Sequence, residues 1–103
     1  TMALDTRMVS MVLAENQNQF MTVKFLTKDN EIRVYNGRLN VKKYLVGGES
    51  GRKAAEVLAA HNLIPMFVGK EGETPQYKSF KLDRVLAIKA GGRHIYAMGA
   101  ELD

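Results

Sequence analysis

The chain has 103 residues, of which 46% are hydrophobic and 25% charged, the make-up of one ordinary globular domain and not of a disordered chain. It has no Cys, which excludes disulfides, thiolate metal sites and a Cys nucleophile, so the fold must hold by packing alone. Fifteen Lys and Arg against eleven Asp and Glu give a net charge of +4, an excess that permits an anionic partner without demanding one.

Along the chain, Leu4, Met8, Met11, Val12 and Glu15 follow helical spacing. A short amphipathic helix over residues 5–15 is expected, with Asp5 or Thr6 as its N-cap. The polar run Asn16 to Gln19 ends it. Phe20 to Thr27 reads as a strand, in which Met21, Val23 and Phe25 alternate with Thr22, Lys24 and Leu26. Lys28-Asp29-Asn30 is a turn, and Glu31 to Arg38 is the second strand of a hairpin. There Ile32 and Val34 share one face, and Arg33 and Tyr35 the other. Asn36-Gly37 suggests a bulge, since Gly accepts positive φ.

Val41 to Val46 is short and apolar-basic, and Gly47-Gly48 breaks it. Arg52 to His61 is rich in strong helix formers, with Ser50 placed to cap its start and Asn62 its end. Its apolar stripe is Ala54, Val57 and Leu58, extending to His61. Leu63 to Gly69 is a third strand, and Pro65 argues for an edge or a strand start. A polar loop runs to Pro75. Tyr77 to Leu82 and Val85 to Lys89 are strands, with Phe80, Leu82, Leu86 and Ile88 inward. Gly91-Gly92 is a tight hairpin turn, Arg93 to Met98 the last strand, and the tail after Gly99 is expected to be loose. Five to six short strands with tight turns predict a mainly β fold. The expected form is a small SH3/Sm-like barrel with an N-terminal helix and one inserted helix, all in a single domain.

Charge is unevenly distributed. From Arg33 to Lys53 there are six basic residues and one acid, and from Lys78 to Arg93 five and one. These runs read either as a solvated surface or as an anion-binding face.

Three stretches resemble a known family. Asn36 to Gly48 (NGRLNVKKYLVGG) is similar to its NGRL-x-V-x-K-x-L-x-GG segment, and Ser79 to Lys89 (SFKLDRVLAIK) to its L-D-R-V-x-x-I-K segment. Val23 to Arg33 is similar to its opening hairpin. The family is that of small phage-encoded proteins with an Sm-like, SH3-type β-barrel, related to WYL domains, and the likeness covers about residues 20–98. It implies the barrel, a phage origin and a place in the cytoplasm of an infected bacterial cell. Related domains often bind nucleic acid or nucleotides. The segment from Gly51 to Asn62 is longer than the family pattern and the N-terminal helix lies outside it, so both are places for a function peculiar to this chain.

No enzymatic constellation is visible. His61 and His94 lack metal-ligand spacing, and no Ser lies in G-x-S-x-G. Gly47 to Lys53 falls short of a P-loop, because Ala54 follows Lys53. No catalytic residue, metal or cofactor is expected. The binding reading rests on Arg38, Lys42, Lys43, Tyr44, Arg52, Lys53 and Arg84. Arg grips phosphate bidentately, Lys supplies point charge, and Tyr35 or Tyr44 offers a ring for a base. Arg84 either pairs with Asp83 or a carbonyl of its bend, or points into one groove with Arg38 as a phosphate clamp. The expected function is a non-enzymatic phage accessory protein that binds nucleic acid or a nucleotide through a basic face. The alternative is a protein-interaction module that inhibits or redirects a host protein, its basic face docking on an acidic partner, with Leu4 to Glu15 and Arg52 to His61 as the natural places for the interface. No membrane partner is expected, no apolar run of about 18 residues being present, and a homo-oligomer is permitted.

Overall fold

The computed structural model describes residues 3–69 and 72–96. Helix α1 spans Thr6–Glu15. Asp5 caps it by accepting from the Arg7 N–H at 2.8 Å, which satisfies one of the unpaired donors of the first turn. The strands are β1 (Met21–Leu26), β2 (Ile32–Leu39), β3 (Leu63–Val68), β4 (Gln76–Lys81), β5 (Val85–Ala90) and β6 (Arg93–Tyr96). Helix α2 (Gly51–His61) is inserted between β2 and β3, and a 3₁₀ turn, Leu82–Arg84, joins β4 to β5. The last strand is described only to Tyr96. Thr1, Lys70, the end of the expected strand at Met98 and the tail after Gly99 lie outside the described residues.

All six strands are antiparallel in one sheet, in the order β4-β3-β2-β1-β5-β6. The fold is mainly β with an N-terminal and an inserted helix, as its spacing predicts. Among the described residues β4 and β6 do not pair, so the sheet stays open where a closed barrel would join them.

The alternation in β1 is as expected: Met21, Val23 and Phe25 are buried, and the residues between them half-buried. The register then sets β2. Tyr35 stands opposite Val23, so the face carrying Arg33 and Tyr35 turns inward, while Ile32 and Val34 remain 58% and 46% exposed. Gly37 lies in continuous pairing between Met21 and Val68, with no bulge there. Its lack of a side chain serves close approach, because a Cβ at this position would collide with the Phe67 carbonyl. The ladder irregularity falls instead on β1, between Lys24 and Phe25 opposite β5.

Pro65 sits in an interior strand, one residue past the last β2–β3 pair. Its carbonyl accepts from the Asn40 N–H at 2.9 Å, so the donor it lacks would point the same way, to the chain just past the end of β2, and its absence costs no bond to β4.

The two helices pack on each other and share one core with the inward side chains of the sheet. In α1 the buried residues are Val9, Ser10, Val12, Leu13 and Ala14. Met8 and Met11 are exposed, so the expected stripe is rotated toward Val9 and Leu13. In α2, Ala54, Ala55 and Leu58 are buried. Burying Leu58 fully stabilises the fold by about 1.5–3 kcal/mol relative to leaving it in water, which is how a cysteine-free chain holds its helices. No helix among the described residues is long and apolar enough to cross a membrane.

Candidate functional site

Where β1 ends and β2 begins, the sheet forms a cleft of about 230 Å³ with the end of β4 and the 3₁₀ turn. Lys28 enters it from the β1–β2 turn, Arg33 from β2, Lys81 from the end of β4 and Arg84 from the 3₁₀ turn; among the described residues no carboxylate lines it. None of these four forms an ion pair among the described residues. Asp83 is beside Arg84 in sequence but does not neutralise it. Its own backbone N–H donates to Asn62 Oδ1 at 3.2 Å, while Arg84 Nη1 donates to Asn30 Oδ1 at 3.3 Å. Arg84 therefore takes neither expected role: it is not paired with Asp83, and it does not share a groove with Arg38.

Beneath the cations lie Phe25, Tyr35 and Phe80, all buried. Phe25 meets Tyr35 edge-on at 4.7 Å and Phe80 at 5.8 Å between ring centroids. A fifth cation, Lys78 Nζ, lies 5.7 Å from the centre of the Tyr35 ring, where the ring's quadrupole attracts it. Tyr35 is thus part of the floor of the cleft and not an exposed stacking surface. The β1–β2 turn that presents Lys28 is held at both ends. Thr27 N–H donates to the Glu31 carbonyl at 2.8 Å, and Glu31 N–H to Thr27 Oγ1 at 3.1 Å. Asn30 occupies the left-handed region at φ 61°, which Asn tolerates better than most residues. The result is a positively charged opening over an apolar floor, suited to an anionic group that keeps part of its hydration.

The other residues singled out in the sequence are dispersed. Arg38 projects on the opposite face of the sheet, where Nη1 donates to the Asn18 carbonyl at 2.9 Å. It lines a separate cavity of about 620 Å³ with Phe20, Phe67 and Glu73, so the nearby carboxylate makes that cavity a poor phosphate clamp. Lys42 and Lys43 are exposed in the turn that follows β2. Arg52 and Lys53 are exposed at the start of α2, where Arg52 Nε pairs with Glu56 at 3.3 Å. Ser50 occupies the N-cap position of α2 but its side chain makes no capping bond.

Tyr44 is half-buried and stacks on His61, the last residue of α2, at 3.6 Å between centroids and 3° between planes. Its hydroxyl donates to the Leu63 carbonyl at 3.1 Å, and Lys43 Nζ lies 5.6 Å from its ring. His61, expected only to end a stripe, is exposed and carries the outer ring of this stack.

The cleft adds Lys28, Arg33 and Lys81 to the expected Arg84, and Lys78 reaches the Tyr35 ring beside it. One signal for them is present in the sequence: Arg33 shares its strand face with Tyr35, and that face must turn inward if Val23 does. Lys28 and Lys81 carry no such signal, because only the tertiary fold brings a turn and a distant strand end together. Comparison with protein-family models, with curated proteins and with solved structures finds no match for this chain.

Proposed function

We propose that this chain is a non-enzymatic binding protein for phosphate-bearing ligands, namely nucleic acid or nucleotides, and that the cleft formed by Lys28, Arg33, Lys81 and Arg84 is its phosphate site. One observation carries the reading: four cations from four separate elements line a single cleft, and no carboxylate among the described residues lines it with them. Like charges brought together without counter-charge oppose folding, and a polyanion relieves that repulsion. Arg33 and Arg84 offer planar forks for phosphate oxygens, and the two lysines supply point charge. The reading rests on this cleft and not on the family likeness.

Phosphate-led binding is salt-dependent, because each neutralised phosphate releases counterions. Four contacts to a single strand give a slope of log K against log salt of about −3. Fluorescence anisotropy with a mixed-sequence octanucleotide measures it. No binding of oligonucleotides or of ATP at low salt removes the proposal, as does a flat salt dependence.

A second reading, a module that binds a host protein, draws on Ile32, Val34 and Tyr77, which are 58%, 46% and 77% exposed. The apolar residues of α1 and α2 give it less support, since most are used in the core. A pull-down from bacterial lysate with and without nuclease separates the two: nuclease-sensitive capture supports the first reading, and nuclease-resistant protein capture the second.

A further inference from the structure

The cleft does not end at its cations. Leu63 lines it, and the carbonyl of the same residue holds the Tyr44 hydroxyl. Next to it, Asn62 ties the end of α2 to the turn that bears Arg84. Its backbone carbonyl accepts from the Leu82 N–H at 2.7 Å, and its side-chain oxygen from the Asp83 N–H. The stacked pair of Tyr44 and His61 is therefore fixed beside the phosphate site through two adjacent residues. His61 is exposed, and Tyr44 occupies only one face of its ring. Lys43 Nζ lies over the Tyr44 ring.

We infer that the Tyr44–His61 stack is a base-stacking platform continuous with the cationic cleft, which makes the ligand a single-stranded nucleic acid and not a free phosphate, a mononucleotide or a duplex. The inference rests on the cleft being a phosphate site. It adds a second subsite with a different chemistry. A phosphate is held by Arg33, Arg84 and their lysines, and a base of the same strand, splayed from its neighbours, extends the stack on the open face of the His61 ring. Aromatic stacking tolerates any base, since every base presents a π-face. Bases in a duplex are already stacked on each other and cannot reach the ring. The platform is pre-ordered: the Tyr44 ring is held by its hydroxyl and His61 by the helix, so little freedom is lost on binding.

The test uses the full chain and three labelled probes, all followed by anisotropy at low salt: an oligo-dT octamer, an abasic octamer with the same phosphates, and a 16-base-pair duplex. The octamer of dT is expected to bind at least about fivefold more tightly than the abasic strand, the factor that one stacked base supplies. His61→Ala is expected to abolish that ratio while leaving abasic binding unchanged. His61→Phe, which keeps a ring without a titratable nitrogen, is expected to retain it. Equal binding of dT and abasic octamers overturns the platform and leaves the phosphate site standing. So does a ratio that survives His61→Ala. Duplex binding as tight as that of dT overturns the single-strand assignment. Failure of all three probes to bind overturns the platform together with the phosphate site on which it rests.

Discussion

The cleft and the start of α2 carry the same kind of charge and arrive at it in opposite ways. Arg52 and Lys53 are neighbours in the chain, and so look like a cluster, but both are exposed at the start of a helix and one is paired with Glu56. Lys28, Arg33, Lys81 and Arg84 are spread over more than half the chain, yet they line one cleft. Proximity in sequence measures charge density along the backbone. A binding site needs convergence of side chains, and that is decided by strand register and by which turns meet at one end of the sheet.

The largest expected difference between the two regions is in affinity. Reversing two cleft cations together, Arg33→Glu with Lys81→Glu, is expected to weaken oligonucleotide binding about a hundredfold, each lost phosphate contact being worth roughly tenfold. The same double reversal at Lys53 and Arg52 is expected to change it less than about twofold. Equal losses at the two places would erase the distinction.

Next in size is a stability effect at the joint between α2 and the cleft. Asn62 adopts φ 60° and accepts from Asp83 through its side chain. Asn62→Ala loses the hydrogen bond and forces a Cβ-bearing residue without a polar group into a left-handed backbone. The expected destabilisation is about 2 kcal/mol, read by urea denaturation. Asn62→Gly relieves the backbone but not the lost bond, so it is expected to fall between Ala and wild type. If Ala and Gly cost the same, the backbone conformation contributes nothing.

Arg84→Lys keeps the charge and removes the bidentate fork. A three- to tenfold loss of affinity (about 0.7–1.4 kcal/mol) with an unchanged melting temperature is expected, because the bond to Asn30 is exposed and long. A lower melting temperature with intact affinity would make Arg84 part of the scaffold.

The smallest effect lies on the α2 side. Lys53 is the third residue of the helix, three after Ser50, whose side chain makes no capping bond. Lys53→Glu completes the Ser-x-x-Glu capping box and places negative charge at the positive end of the helix dipole. A gain of about 0.3–1 kcal/mol in thermal stability is expected, with oligonucleotide affinity almost unmoved. A fall in stability would show that the cap does not form.

Much of the fold is legible in the residues. The alternation of Met21, Val23 and Phe25, the turn at Lys28 to Asn30, the helix formers after Ser50 and the glycine pair at Gly91 and Gly92 are local signals, and each marks an element that forms. Three things are not local. The open seam between β4 and β6 depends on sheet curvature. The phase of α1 depends on what it packs against: Met8 and Met11 are as apolar as Val9 and Leu13, and only the contact with α2 and β5 selects between them. Gly37 depends on the approach of β3, and the pair Asn36-Gly37 taken alone suggests the bulge that the register excludes. The candidate site is legible in kind and not in place. Basic residues near aromatic ones are evident from the chain, but of the seven residues the sequence favours, only Arg84 lines the cleft. Tyr44 stands beside it, through Leu63. A partnerless cation cannot be told from a paired one until its surroundings are known, as Arg52 illustrates.

If the cleft, and not the adjacent pair Arg52 and Lys53, receives the ligand, the backbone amide shifts of the ¹⁵N-labelled protein report it as an oligo-dT octamer is added. The expected perturbations concentrate at Lys28, Arg33, residues 79–84 and residues 61–63, with Arg52 and Lys53 almost still. Perturbations centred on Arg52 and Lys53, with the residues of the cleft unmoved, would contradict it.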